Sequence, residues 1–292
     1  MEIYLSTEQA AAYLGIKERK LYELVAEGAV PCSKVTGKWI FPRAALDRWV
    51  ESGLARPIGL ALEAAPPIVG GSHDPLLEWA LRQSGSGLAL LSEGSLAGFR
   101  KLEANAAGLA AIHLHNPEEA ANVAALRDSR ALTDGVLIAF AEREQGLLLP
   151  PGNPGRLASL ADLAAGNATL GLRQPGAGAQ QLAEQLFADA GLDFVRLTAG
   201  MPVYPTGDDL AYAIRTGEAD CGIATRAAAK AQGLDFLSLA WEKFDLAMRR
   251  RTYFEPGPQK LFALMRSPDF ARRAEALTGY RVAEAGLVRF NR

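Results

Sequence analysis

Residues 171 to 186, GLRQPGAGAQQLAEQL, pass from a strand-like segment through three glycines into an amphipathic helical pattern, which offers unpaired backbone N–H groups to an anion. Gln181 stands where a dinucleotide loop has its last glycine, and no Lys-Ser or Lys-Thr pair follows, so neither nucleotide-binding pattern is met. Other helix starts carry donors of the same kind: Ser72, His73 and Asp74 before PLLEWAL, Ser95 before LAGFRKL, and Thr206 and Gly207 before DDLAYAI. The first-turn N–H groups and the helix dipole select negative charge at such places without needing a cation. Arg173 adds a fork of donors beside the loop. The candidate ligand-binding residues are therefore Ser72, His73, Ser95, Arg173, Gly176, Ala177, Gly178, Ala179, Tyr204 and Thr206, with Tyr204, Trp79 or Phe99 supplying a face for a larger ligand.

Several of these residues fit plainer roles equally well. Ser72, Ser95 and Thr206 suit helix caps, Asp74 and Asp208 suit the dipole at their helix starts, and Arg173 suits an ion pair. His113 and His115 flank Leu114 at strand period and share one face. No third ligand is spaced to make them a metal site, so they read as ordinary, partly exposed histidines. The run Arg249, Arg250, Arg251 reads as a solvated strand end or an interface. The chain shows no nucleophile and base pair, no G-x-S-x-G and no H-E-x-x-H, so neither an enzyme nor a bound cofactor is expected.

A second set of reactive side chains lies near the start, in LSTEQAAAYLGIKERKLYELVAEGAVPCSKVTGKWIFPRAALDRWV. Ser6 and Gln9 have the spacing of a capping box, Ala10, Ala11 and Leu14 make the buried stripe of a first helix, and Gly15 ends it. A second helix from about Lys17 to Glu27 turns Leu21, Leu24 and Val25 inward, leaving Lys17, Arg19, Lys20 and Tyr22 outward to meet phosphates and base edges. VPCSKVTGKWIFP reads as a hairpin around TGK that carries Lys34 and Lys38, and Pro42 and Arg43 open a third helix with Leu46 and Trp49 inward.

These sites need elements to position them, and a chain of 292 residues, 49% hydrophobic and 22% charged, has length enough for more than one core. The punctuated stretch GLARPIGLALEAAPP marks a division, giving residues 1–54 as one domain, 55–66 as a linker and 67–292 as another. Beyond it, short apolar runs alternate with helical patterns, as a parallel sheet covered by helices requires. The rhythm breaks near 141–151 and resumes, which predicts two α/β lobes, one of about 67–145 with 250–292 and one of about 146–249. No apolar run is long enough for a membrane span, and the start lacks a secretory pattern, so a cytoplasmic protein is expected. Cys32 and Cys221 have no Cys or His at metal-ligand spacing and read as reduced, structural thiols.

The N-terminal segment resembles the excisionase-type, MerR-like winged helix-turn-helix family. That resemblance implies that the Lys17 to Tyr22 helix enters the major groove of a double-stranded DNA operator while Lys34 and Lys38 touch its backbone. The segments GGSHDPLLEWAL, LSEGSLAGFRKLEANAAGLAAIHLH, REQGLLLPPGNP, LRQPGAGAQ and TGDDLAYAIRTGEADCGIATRAAA resemble the type II periplasmic-binding-protein superfamily, and most closely the domain related to molybdate-binding proteins. The resemblance implies a ligand cleft between lobes, with Ser72 and Ser95 where relatives use hydroxyls on an oxyanion. Related domains usually read Gly-Ser-Gly-Thr-Arg where this chain has Gly176-Ala177-Gly178-Ala179-Gln180, so only backbone donors remain there. The fold expected is thus α/β, a winged helix-turn-helix plus a two-lobed binding-protein-like domain. The function expected is a one-component transcriptional regulator, a homodimer on paired half-sites, sensing a small anion such as molybdate or tungstate. A molybdenum-cofactor-related ligand-handling protein or enzyme, and an excisionase-like architectural DNA protein, are the alternatives.

Overall fold

Ser6 starts the first helix as its spacing requires. In the computed structural model its hydroxyl accepts from the Gln9 backbone N–H at 3.3 Å, and the Gln9 side chain accepts in return from the Ser6 N–H at 2.8 Å. The structure describes residues 3–35, 37–52, 64–115, 120–166 and 168–292. They divide into two units, Met1–Glu63 and Ala64–Arg292. The expected linker lies mostly in 53–63, outside the described residues.

In the first unit β1 (Tyr4–Leu5) leads into α1 (Thr7–Leu14), and Gly15, at φ 66°, lets the Ile16 N–H return to the Ala11 carbonyl. The chain then enters α2 (Glu18–Ala26). β2 (Phe41–Pro42) pairs antiparallel with β1 and opens directly into α3 (Arg43–Ser52). Ala10, Ala11, Leu21, Val30, Phe41 and Leu46 are buried together, with Leu14, Leu24, Val25 and Trp49 against them. The expected hairpin is smaller than its sequence suggests. Its arms meet in one antiparallel bridge, Ser33 to Ile40, closed by two backbone bonds of 2.9 Å.

The second unit begins with β3 (Ile68–Gly71), α4 (Pro75–Ser84), β4 (Ala89–Ser92), α5 (Ser95–Glu103) and β5 (Leu109–Ile112). Here β3 pairs in parallel with both β4 and β5. A Cβ on Gly98 of α5 would stand 2.4 Å from the Gly71 Cα, so two glycines bring this helix onto the strand. After α6 (Ala121–Asp128) comes β6 (Gly135–Leu149), fifteen residues long. The second lobe follows as α7 (Leu160–Ala165), β7 (Leu170–Arg173), α8 (Gly178–Asp189), α9 (Phe194–Thr198), β8 (Val203–Tyr204), α10 (Gly207–Thr216), β9 (Cys221–Thr225) and α11 (Arg226–Gln232). β10 (Asp235–Arg249), also fifteen residues, returns antiparallel to β6, and α12 (Arg250–Tyr253), α13 (Pro256–Met265), α14 (Pro268–Leu277), β11 (Tyr280–Arg281) and β12 (Val288–Asn291) complete the chain.

The strand order β4-β3-β5-β10-β6-β9-β7-β8 makes a mixed sheet. The parallel pairing expected from the alternation holds within each lobe, while β6 and β10 pair antiparallel with each other and with β9 and β5. These two strands thread both cores. Ile138, Phe140, Phe244 and Leu246 pack with Leu76, Phe262 and Phe270 in the first lobe, as the terminal segment folds back on it. Leu147 and Leu149 pack with Leu163, Phe187 and Cys221 in the second. Among the described residues no helix is long and apolar enough to cross a membrane.

Two consequences are testable. Phe140 is fully buried with edge-on rings of Phe244 and Phe270 against it, so Phe140→Ala is expected to lower the unfolding free energy by about 3–5 kcal/mol in urea titrations. Both cysteines are free, but burial pushes the Cys221 thiol up to about 12 while Cys32 is partly exposed. A thiol reagent applied to the folded chain at mildly alkaline pH is expected to modify Cys32 and spare Cys221 until denaturant is added; rapid native labelling of Cys221 would contradict its burial.

Candidate functional site

Between the two cores β6 carries Glu142-Arg143-Glu144-Gln145, a polar interruption in an apolar strand. Strand alternation sets Arg143 and Gln145 on one face, and the antiparallel register places Glu242 of β10 directly opposite Arg143. Arg143 is 1% exposed. Its Nε donates to Glu242 Oε1 at 2.9 Å, a second guanidinium nitrogen donates to the same oxygen, and a third reaches Asp74 Oδ2 at 3.0 Å. The guanidinium also lies over the Phe244 ring, 3.9 Å from its centre. Gln145 Nε2 adds a bond of 2.8 Å to Glu242 Oε1. Asp74 is the N-cap of α4, taking the Leu76 and Leu77 N–H groups at 2.9 Å, and its other oxygen accepts from the Tyr280 hydroxyl.

The second oxygen of Glu242 faces two imidazoles. Oε2 lies 2.9 Å from His113 Nδ1 and 3.0 Å from His115 Nε2. Burial would raise the Glu242 pKa, yet the His113 ring and the Arg143 guanidinium beside it hold the carboxyl well below its usual range. Burial pushes the His113 pKa down to about 4, with Arg143 adding to the effect and Glu242 opposing it. An ionised carboxylate only accepts, so neutral His113 carries its proton on Nδ1. Its Nε2 then accepts from the Ser72 hydroxyl at 2.7 Å. Ser95, fully buried, takes the His113 backbone N–H at 3.1 Å. Across the cleft Gly178 opens α8 against the same residue: a Cβ there would stand 2.1 Å from the His113 carbonyl oxygen.

Ser72, His73, His113 and Arg143 of the first lobe, with Arg173, Ala179, Gly207, Asp208 and Thr225 of the second, line a cavity of about 20 Å³. Arg173 donates to the carbonyls of Tyr204 and Pro205 at 3.1 and 2.9 Å, and the ion pair that was the plainer alternative for it is not formed with any described residue. Burial, then the charge of Arg143, push its pKa down to about 10, against the pull of nearby carboxylates. Burial raises the Asp208 pKa, with His73 opposing.

Of the ten ligand candidates, Ser72, His73, Arg173 and Ala179 line this cavity. Asp74 and Gly94 are the N-caps of α4 and α5, so Ser72 and Ser95 are free of that role. Ser95 bonds the His113 backbone N–H and does not line the cavity. Gly176, at φ 80°, shapes the loop, and Ala177 and Gly178 seat the start of α8. Thr206 is a cap, in a capping box with Asp209. The aromatic face is corrected: Tyr204 and Phe99 are buried in cores and Trp79 packs against another. His113, read as partly exposed, is 3% exposed and central. The solvated arginine run is also corrected at Arg249, which is buried and pairs with Asp134 at 2.7 Å. His113, Arg143, Gln145 and Glu242 were missed as site residues. The signal for them was the polar quartet inside a fifteen-residue apolar strand and the glutamate in its antiparallel partner.

In the first unit Lys17, Arg19, Lys20, Tyr22, Lys34 and Lys38 are all exposed. Arg19 and Lys20 both reach Glu23, at 3.4 and 3.3 Å, and Lys34 lies over Trp39.

The model of the PBP superfamily domain matches residues 77–266, well over half of the sequence. The chain belongs to that superfamily. A helix-turn-helix domain model matches residues 4–53, so an excisionase-like DNA-binding domain precedes the PBP superfamily domain. The uncharacterized protein YvgK of Bacillus subtilis is 21% identical over 96% of both chains. Among solved structures, PEB3 bound to L-phospholactate matches with a TM-score of 0.51 and 15% identity, over 73% of this chain and 98% of that one. The tungstate ABC transporter structure from Geobacter sulfurreducens matches with a TM-score of 0.51 and 14% identity, over 72% and 98%. At such identity these two establish the fold of the PBP superfamily domain and nothing finer.

Removing the charge of Arg143 leaves two buried carboxylates without their shared partner. Arg143→Met is expected to cost about 3–5 kcal/mol in urea unfolding. A loss near zero would mean that the cluster tolerates its own charge.

Proposed function

We propose that this protein is a ligand-responsive transcriptional regulator, in which an oxyanion bound by the PBP superfamily domain controls DNA binding by the helix-turn-helix. The coarser statement, a DNA-binding domain joined to a ligand-binding domain, is what the two family matches support. The observation that carries the anion is Arg173. It is a guanidinium lining the cavity, bonded only to carbonyls among the described residues, its pKa pushed down to about 10 by burial and by Arg143. An anion beside it relieves both costs. The His73 ring lines the same cavity, and the first turns of α8 and α10 reach it through Ala179 and Gly207.

A space of about 20 Å³ takes little more than one water, so a tetrahedral oxyanion enters as the lobes part. The register shifts of β10 between Ser238 and Ala240 and between Phe244 and Asp245 flank the stretch where that strand passes from one core to the other, and they supply a hinge. Molybdate and tungstate are the named candidates, in keeping with a tungstate transporter and a phospholactate-binding protein that share the fold. The ligand moves the equilibrium by binding the open and closed arrangements with unequal affinity. On DNA, Lys17, Arg19, Lys20 and Tyr22 face the groove and Lys34 and Lys38 the backbone. Two of these cations are shared with Glu23, so a single copy binds weakly and the protein works as a homodimer on paired half-sites.

The test is a melting-shift series of the full chain with molybdate, tungstate, phosphate and sulfate. Arg173→Ala is expected to weaken the stabilising anion by about 1.5–3 kcal/mol, roughly ten- to hundredfold. An unchanged shift would place the anion elsewhere. Replacing Lys17, Arg19 and Lys20 together by Ala is expected to abolish operator binding in a gel-shift titration while the anion still raises the melting temperature. Retained operator binding would remove α2 as the reading helix.

A further inference from the structure

We propose that His113, His115 and Glu242 bind a divalent first-row transition-metal ion of the zinc class. This site stands whether or not the neighbouring cavity takes an oxyanion. One ligand atom from each residue, His113 Nδ1, His115 Nε2 and Glu242 Oε2, lies within 4.8 Å of the other two. Zinc bonds to nitrogen and oxygen of about 2.0–2.2 Å put neighbouring ligand atoms of a tetrahedral shell about 3.3 Å apart. The carboxylate oxygen is 2.9 and 3.0 Å from the two ring nitrogens, so small side-chain shifts admit an ion among them.

The surroundings are those of a built site. Glu242 Oε1 is fixed by Arg143 and Gln145, which aims Oε2 at the imidazoles, and His113 is held from its far nitrogen by Ser72. Such outer contacts orient metal ligands and tune their basicity. The charge also fits. Arg143 bonds two carboxylates, Asp74 and Glu242, which leaves one buried negative charge for a proton or a metal to balance. Two imidazoles and a carboxylate without thiolate favour zinc, iron, cobalt or nickel over magnesium or calcium.

Access comes from a second cavity, lined by different residues from the oxyanion cavity. His115 and Glu242 line a separate cavity of about 340 Å³ with Asn122, Trp241 and Lys243, which leaves room for water at the remaining coordination positions. An ion on Nδ1 leaves the His113 proton on Nε2, so the bond to Ser72 reverses direction and the imidazole becomes a donor toward the cleft. The metal would thereby set the hydrogen-bonding character of the neighbouring cavity.

The experiment is calorimetric titration of the chelator-treated full chain with zinc chloride, and with cobalt(II) as a spectroscopic probe. One zinc per chain is expected, together with the visible bands of a four- or five-coordinate cobalt ion. His115→Ala removes a ligand while leaving Arg143, Glu242 and Asp74 in place, and its metal-free urea midpoint checks that it folds. It is expected to weaken zinc by at least the roughly 10–100-fold that loss of an outer-shell partner costs. The wild-type cobalt spectrum needs no variant. Absence of saturable zinc binding, a cobalt spectrum that stays that of the hydrated ion, or wild-type affinity in folded His115→Ala would each overturn the site.

Discussion

Arg143 is a cation that the fold cannot release. It is 1% exposed, it bonds Asp74 and Glu242, and it lies on β6 where that strand leaves the core of the first lobe and enters that of the second. Buried ion pairs add little net stability, because desolvation offsets most of the Coulomb attraction. Their effect here is geometric. Opposite charges at one register position of β6 and β10 disfavour a slip of either strand, since any slip leaves a charge unpaired in a dry interior.

The rest of the site follows outward from that pairing. With one oxygen of Glu242 committed to Arg143 and Gln145, the other is left to His113 and His115. His113 is then kept neutral by burial and passes its orientation on to Ser72. Asp74, serving Arg143, Tyr280 and two N–H groups of α4 at once, fixes the helix start that carries Ser72 and His73. The second lobe contributes Arg173, whose positive charge Arg143 repels. Arg173 thus faces the cleft with its guanidinium bonded to backbone carbonyls and to no carboxylate among the described residues.

Local chemistry was legible in the sequence, and long-range pairing was not. The capping box of Ser6 and Gln9, the left-handed Gly15, the inward Leu21 and Leu46, and the two-lobed α/β rhythm are set by residues a few positions apart. The antiparallel pair β6 and β10 was not legible, because strand-helix alternation carries no mark of a strand that crosses back, and β10 pairs with a strand about one hundred residues earlier. The same distance hid the site. Arg143 and Glu242 are 99 positions apart and His113 and Glu242 are 129, so no spacing rule joins them. His113 and His115 lacked a third ligand only within reach of sequence. Tyr204 and Phe99 looked available for a ligand face because pattern cannot distinguish a ring in a core from one in a cleft.

The central claim is that the cleft around Arg143 and Arg173 takes the anion. Amide hydrogen exchange of the full chain, with and without the oxyanion that stabilises it most, addresses this directly. The account predicts slowed exchange at the first turns of α4, α8 and α10 and at residues 113–115. Slowing confined to other elements, or none while the melting temperature still rises, would contradict it.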